Sequence, residues 1–140
     1  MEWQEFEKGV FLVSLLGILY NPKTRKILIG KRENDPYIKE RSWVFPGTKP
    51  SYEHDLEVYL KEGIKSKTGL DIEIKKTVFA KTYPEKREFL SVYYYCEVTG
   101  GKEKAGDTLV DVKWVKPTEV KKFFTTSLHP KVFDFLKTLD

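Results

Sequence analysis

Three glutamates fall close together in the middle of the chain, Glu53, Glu57 and Glu62. Carboxylates gathered on one helix face are hard oxygen ligands of the kind that Mg²⁺ takes, and a metal so held could activate water. Glu53 and Glu57 are four apart, which places both on one face of a helix, and Glu62 lies further along. The competing account is that all three are solvated surface carboxylates, as most exposed glutamates are. A second candidate is the basic pair Lys31-Arg32, at the end of an apolar run, which on its own reads as capping a strand in solvent. A third is aromatic. Phe45 and Tyr93 are rings on strand-like stretches, where core packing is the default account. With only His54 and His129 in the chain, a histidine pair or a Ser/His/Asp set is not suggested. The single Cys96 excludes an internal disulfide and a cysteine zinc site.

The elements that must position these residues follow from the pattern. Trp43-Val44-Phe45 favours a strand, with Trp43 and Phe45 on one side, and Pro46-Gly47 ends it. A helix is predicted over residues 52–67, with Leu56, Leu60 and Ile64 at i, i+4 and i+8. Thr68-Gly69 closes it, the glycine suiting the left-handed position past the last turn. Residues 9–20 read as a strand buried on both faces. Residues 21–24 turn the chain, and residues 26–32 return as a second strand. Residues 33–41 form a polar loop containing Asn34-Asp35-Pro36.

Residues 71–83 alternate as a strand bent near Lys76-Thr77, and Pro84-Glu85-Lys86 turns into the strongest strand signal, residues 89–98. There Tyr93 and Tyr95 share one face and Tyr94 takes the other. Residues 99–108 read as a mobile, exposed loop. Asp111 to Val115 form another strand, and Pro117-Thr118-Glu119 opens a short helix. Residues 130–139 form a last helix entered at His129, carrying Val132, Phe135, Leu136 and Leu139 against the sheet.

The stretch from Trp43 to Leu70 resembles the Nudix box, G-x5-E-x7-R-E-U-x-E-E-x-G-U with U a bulky aliphatic. Trp43, Phe45, Pro46 and Gly47 are similar to the family's entry into the box, and Thr68, Gly69 and Leu70 to its exit. A gapless alignment puts Thr48 at the first glycine and His54 at the first glutamate. Glu62 falls at the arginine, Gly63 at the glutamate beside it, and Ser66 and Lys67 at the paired glutamates. A one-residue slip before the helix would instead put Glu53 at the first glutamate, Lys61 at the arginine and Glu62 at the glutamate beside it. Tyr93-Tyr94-Tyr95-Cys96-Glu97-Val98 and Asp111 to Val115 also resemble family strands.

The resemblance implies an α/β fold: a Nudix-type α/β/α sandwich with a mixed sheet, the box helix and a C-terminal helix, in one domain over residues 1–140. It implies phosphate contacts at Lys31 and Arg32, base contacts at Phe45 and Tyr93, and a homodimer. Family enzymes hydrolyse a nucleoside diphosphate linked to another group, using Mg²⁺ or Mn²⁺. Here the metal-binding glutamates are replaced, and Lys67 sets an ammonium where a cation should sit. The expected function is therefore a binding module for a nucleotide or nucleotide derivative, a pseudoenzyme with little or no hydrolysis and no metal site. The alternative is an active Mg²⁺-dependent hydrolase, of the ADP-ribose pyrophosphatase or MutT type, with carboxylates relocated to Glu53, Glu57, Glu62 or Glu103. A protein-interaction scaffold is the blandest reading.

Composition bounds the rest. At 140 residues, 40% of them hydrophobic, the chain is long enough for one cored domain. A net charge of +4 allows an anionic small molecule or RNA without requiring either. The acidic first seven residues do not read as a leader, and the apolar run 10–20 is too short to cross a bilayer. Together with the lone cysteine this points to a reducing cytoplasm. Abundant lysine and glutamate beside one Cys and one Met hint at a thermophile.

Overall fold

Strand β1 (Leu12–Asn21) runs through the middle of the sheet in a computed structural model that describes residues 9–32, 43–124 and 128–140. Its side chains alternate, so Leu15 and Leu19 face one layer while Ile18 and Tyr20 face the other. A turn leads into β2 (Lys26–Arg32), antiparallel to β1. Two short strands follow: β3 (Trp43–Val44) pairs with β2, and β4 (Gly47–Thr48) with β1. Helix α1 (Leu56–Thr68) then leads to a long hairpin, β5 (Leu70–Tyr83) and β6 (Lys86–Gly101). β6 lies parallel to β1, from Leu12 beside Phe89 to Tyr20 beside Glu97, and this pairing makes the sheet mixed. β7 (Leu109–Val115) lies antiparallel on β2. A 3₁₀ turn (Pro117–Glu119), the single turn α2 (Val120–Phe123) and helix α3 (Pro130–Lys137) complete the described chain.

The sheet is sandwiched. Leu60 and Ile64 of α1 pack on Leu15, Leu19, Leu28 and Cys96. On the opposite face Val132 and Leu136 of α3 pack on Ile18, Ile27 and Ile29. Each such fully buried aliphatic contributes about 1.5–3 kcal/mol, which is what fastens the two helices to the sheet. The tyrosine run obeys its alternation: Tyr93 and Tyr95 join the α3 layer and Tyr94 the α1 layer. The bend in β5 appears as register shifts on either side of Lys76-Thr77. His129 caps α3, its ring nitrogen accepting from the Lys131 amide at 3.2 Å. Gly69, at φ 76°, ends α1 with its amide on the Lys65 carbonyl.

Three expectations are corrected. Helix α1 starts at Leu56 with Asp55 as its cap, so Glu53 lies outside it and shares no helix face with Glu57. Leu56 is 42% exposed, and burial begins one turn later, through Leu60, Ile64 and Thr68. Residues 99–108 are no free loop. β6 extends to Gly101, and the segment beyond is tied to the end of α1 by the Lys104 amide on the Thr68 carbonyl and the Gly106 amide on the Lys67 carbonyl, both 2.9 Å. The acidic N-terminal segment and the loop with Asn34-Asp35-Pro36 lie outside the described residues. No helix among the described residues is long and apolar enough to cross a membrane.

Candidate functional site

The site begins with a close approach. A Cβ at Gly47 would lie 2.1 Å from the Leu15 carbonyl oxygen, so only glycine lets β4 close onto β1. The Gly47 carbonyl meets the last turn of α1, where it accepts a hydrogen bond from the Lys67 ammonium. Lys67 is half-buried, and that desolvation holds its pKa below the ordinary lysine value. Asp107 opposes the shift, while the positive charges of Arg32 and Lys49 add to it. Asp107 is set in place by its left-handed backbone, φ 52°, one residue after the amide that bonds to Lys67. Among the described residues, Arg32, Lys49 and Asp107 thus stand close enough to bear on the Lys67 charge, at a mouth formed where α1, β2 and β4 meet.

The basic pair predicted from sequence is divided by strand alternation. Arg32 lies on the α1 side with Leu28, within electrostatic reach of Lys67. Lys31 turns the other way, its ammonium 5.7 Å from the Trp43 ring, which packs edge-on to Phe123.

Directly behind the mouth, Thr48 leans on α1. A Cβ at Gly63 would sit 2.6 Å from the Thr48 Cβ. The mid-helix glycine is thus required by the approach of β4, and a glutamate at position 63 has no room while Thr48 remains.

The glutamates do not converge. Glu53 is exposed; its amide and that of His54 donate to the Tyr59 hydroxyl at 3.1 and 3.2 Å. Glu57 is exposed on the flank of α1 toward Tyr94 and Cys96, whose pKa values its charge helps to raise. Glu62 is exposed, and Glu103 borders a separate open cleft of about 340 Å³ with Asn21, Thr24, Lys26 and Trp114. Among the described residues no three His, Cys, Asp or Glu side chains group to hold a metal ion. The family's divalent cation does not fit this donor set, since an ammonium already holds the Gly47 carbonyl and glycine and serine stand beside it.

Phe45 and Tyr93 are 3% and 7% exposed, edge-on to each other at 6.1 Å, with Phe124 at 4.9 Å from Phe45. Both rings are enclosed on the α3 side of the sheet. Burial, and then the Tyr83 hydroxyl, push the Tyr93 pKa up. The sequence reading missed Lys49, Asp107 and the Gly47 carbonyl. The turn signal in Gly106-Asp107 was the one available pointer to a fixed carboxylate.

A family model described as NUDIX domain matches residues 10–136. No curated protein matches the chain. Among solved structures it is similar to a NUDIX hydrolase from Nitrosomonas europaea, with a TM-score of 0.77 at 14% identity, covering 91% of this chain and 71% of that one. It is similar to a MutT protein from Methanosarcina mazei Go1, with a TM-score of 0.71 at 16% identity and 95% of each chain covered. An ADP-ribose pyrophosphatase from Streptococcus suis superposes with a TM-score of 0.60 at 17% identity, over 76% of this chain and 74% of that one. At such identities the likeness carries the fold alone.

Proposed function

The chain belongs to the Nudix family, and from that premise we propose that it binds a nucleotide or nucleotide derivative and hydrolyses it little or not at all. One observation carries the reading: the Lys67 ammonium bonds to the Gly47 carbonyl where the resemblance calls for metal-binding carboxylates. A ligand that carries phosphates suits the cations at this mouth, with Arg32 as the phosphate contact. Lys31 lies on the opposite face beside Trp43, and Phe45 and Tyr93, enclosed on that same α3 side, serve packing and leave the ligand to the α1 side. The buried Cys96 thiol fits a reducing compartment such as the cytoplasm.

The test is a thermal-shift panel of ADP-ribose, dinucleoside polyphosphates and nucleoside triphosphates, with Mg²⁺ and with EDTA, alongside an assay for released products. Stabilisation in EDTA without turnover is expected. Mg²⁺-dependent turnover that disappears in Glu53→Gln or Glu57→Gln would establish the relocated-carboxylate hydrolase in its place.

A further inference from the structure

We propose that the open cleft beside the β1–β2 turn binds a small zwitterion with an apolar side chain, of the free amino acid class. Lys26 and Asn21 take its carboxylate, Glu103 takes its ammonium, and its side chain rests on the Trp114 indole. The site is separate from the Lys67 mouth and does not depend on the nucleotide reading, because Lys26 and Arg32 stand at opposite ends of β2, roughly 20 Å apart at the rise of a strand.

The cleft has a volume of about 340 Å³ and is lined by Asn21, Thr24, Lys26, Glu103 and Trp114. That volume is within the range of small-molecule sites. Its walls are held in place by the fold. Asn21 pairs with Lys26, and Trp114 with Leu28, so alternation sets all three beside Leu19 and Leu28 on the α1 face of the sheet. The Trp114 ring packs against the core of that face. Glu103 arrives from the segment after β6, where the next amide, that of Lys104, is bonded to the Thr68 carbonyl at 2.9 Å. The turn fixes Asn21. Its backbone carbonyl accepts from the Arg25 amide at 2.7 Å, and its side-chain oxygen accepts from the Lys23 amide at 2.9 Å. Both acceptors are thus engaged, and the side-chain NH₂ is left to donate.

The polar groups of the cleft select its ligand. Lys26 and Glu103 line the same space without pairing; among the described residues neither side chain enters an ion pair or a hydrogen bond. The Trp114 indole N–H has no partner in the protein either, and it is not sealed from solvent. The cleft therefore offers an ammonium, an amide NH₂ and an indole N–H as donors, with one carboxylate as the charged acceptor. An anion alone would face the Glu103 charge, and a cation alone the Lys26 charge. A molecule carrying both charges satisfies both, and an apolar side chain covers part of the half-exposed indole.

The experiment is heteronuclear NMR titration of the full chain with L-leucine, N-acetyl-L-leucine and L-leucinamide, following the Trp114 and Trp43 indole N–H signals. Leucine should shift Trp114 and leave Trp43 in place. N-acetyl-leucine, which lacks the ammonium, and leucinamide, which lacks the carboxylate, should each bind about tenfold or more weaker, the scale of one charge-assisted hydrogen bond. Both charged residues are exposed, so their variants keep the fold. Glu103→Gln should weaken leucine by a similar factor and leave N-acetyl-leucine unchanged; Lys26→Gln should weaken leucine and leave leucinamide unchanged. No response to leucine, a response at Trp43 in place of Trp114, equal binding of the three compounds, or leucine binding untouched by both variants each overturns the site. None of these outcomes bears on nucleotide binding, which the thermal-shift panel tests by itself.

Discussion

Thr48 and Gly63 divide one space between them, so that a Cβ added to Gly63 would come within 2.6 Å of the Thr48 Cβ. The side chain that fills the seam between β4 and α1 is supplied by the strand and withheld by the helix. Gly63→Ala alone should therefore not bring the roughly 1 kcal/mol of helix propensity expected of such a change. Overpacking should make it destabilising by about 1–3 kcal/mol. In the Thr48→Gly background the same change should become neutral or stabilising. Urea denaturation of the four proteins in a double-mutant cycle measures the coupling, and additive effects would refute the shared space.

The same seam governs any attempt to restore metal binding. Gly63→Glu, Ser66→Glu and Lys67→Glu together should still fail to bind Mg²⁺ tightly, because Thr48 blocks position 63. Adding Thr48→Gly should produce Mg²⁺ binding by calorimetry, with no requirement that hydrolysis return, since water and substrate must also be placed. Equal binding by the triple and quadruple variants would show that Thr48 is irrelevant.

Arg32 and Lys31 should behave differently although they are neighbours. Arg32→Ala should weaken nucleotide binding by about 1.5–3 kcal/mol, the range for a hydrogen bond to a charged group. Lys31→Ala, on the Trp43 side of the sheet, should change it by less than about 0.5 kcal/mol. A titration in which Lys31→Ala is the worse variant would place the ligand on the other face.

Cys96 gives a pH signature. Burial first, and then the Glu57 charge, push its thiol from 9.0 up to about 12, while Lys61 pulls the other way. The folded pKa exceeds the unfolded one, so the folded chain holds the proton longer. The contribution is complete below about pH 9 and is lost as pH rises toward 12, with a slope of up to about 1.4 kcal/mol per pH unit from this one group. Tyr94 and Tyr95 are shifted upward as well and add to the fall. The stability difference between wild type and Cys96→Ala isolates the thiol: it should shrink between pH 8.5 and 10.5. Parallel curves would exclude Cys96 as a contributor.

Much of the fold was legible because its signals are local. The Tyr93-Tyr94-Tyr95 alternation assigned two layers correctly, and Gly69 marked the end of the box helix. The start of that helix was not legible. Spacing placed Leu56 in line with Leu60 and Ile64, but helical periodicity does not reveal where a neighbouring sheet stops covering a helix. Arg32 and Lys31 could have been separated on strand alternation alone. The bond from Lys67 to Gly47 could not be read, since it joins positions brought together only when β4 closes on β1. The size exchange between Thr48 and Gly63 is invisible for the same reason. Read singly, the glycine looked like lost function, when it is half of a contact.

The parallel pairing of β1 with β6 also fixes an order of events during synthesis. Leu12 waits for Phe89 and Tyr20 for Glu97, so the middle of the sheet stays open until most of the chain has been made. At about 5–20 residues per second on the ribosome that delay is several seconds. Helix α1 is made within that interval and can cover Leu15, Leu19 and Leu28, but the opposite face, with Ile18, Ile27 and Ile29, has no helix to cover it until α3 is made. Contacts this distant in sequence slow folding as well. That face of the nascent hairpin is thus the surface most exposed to chaperones and to misassociation, and the arrival of α3 is the event that ends its exposure.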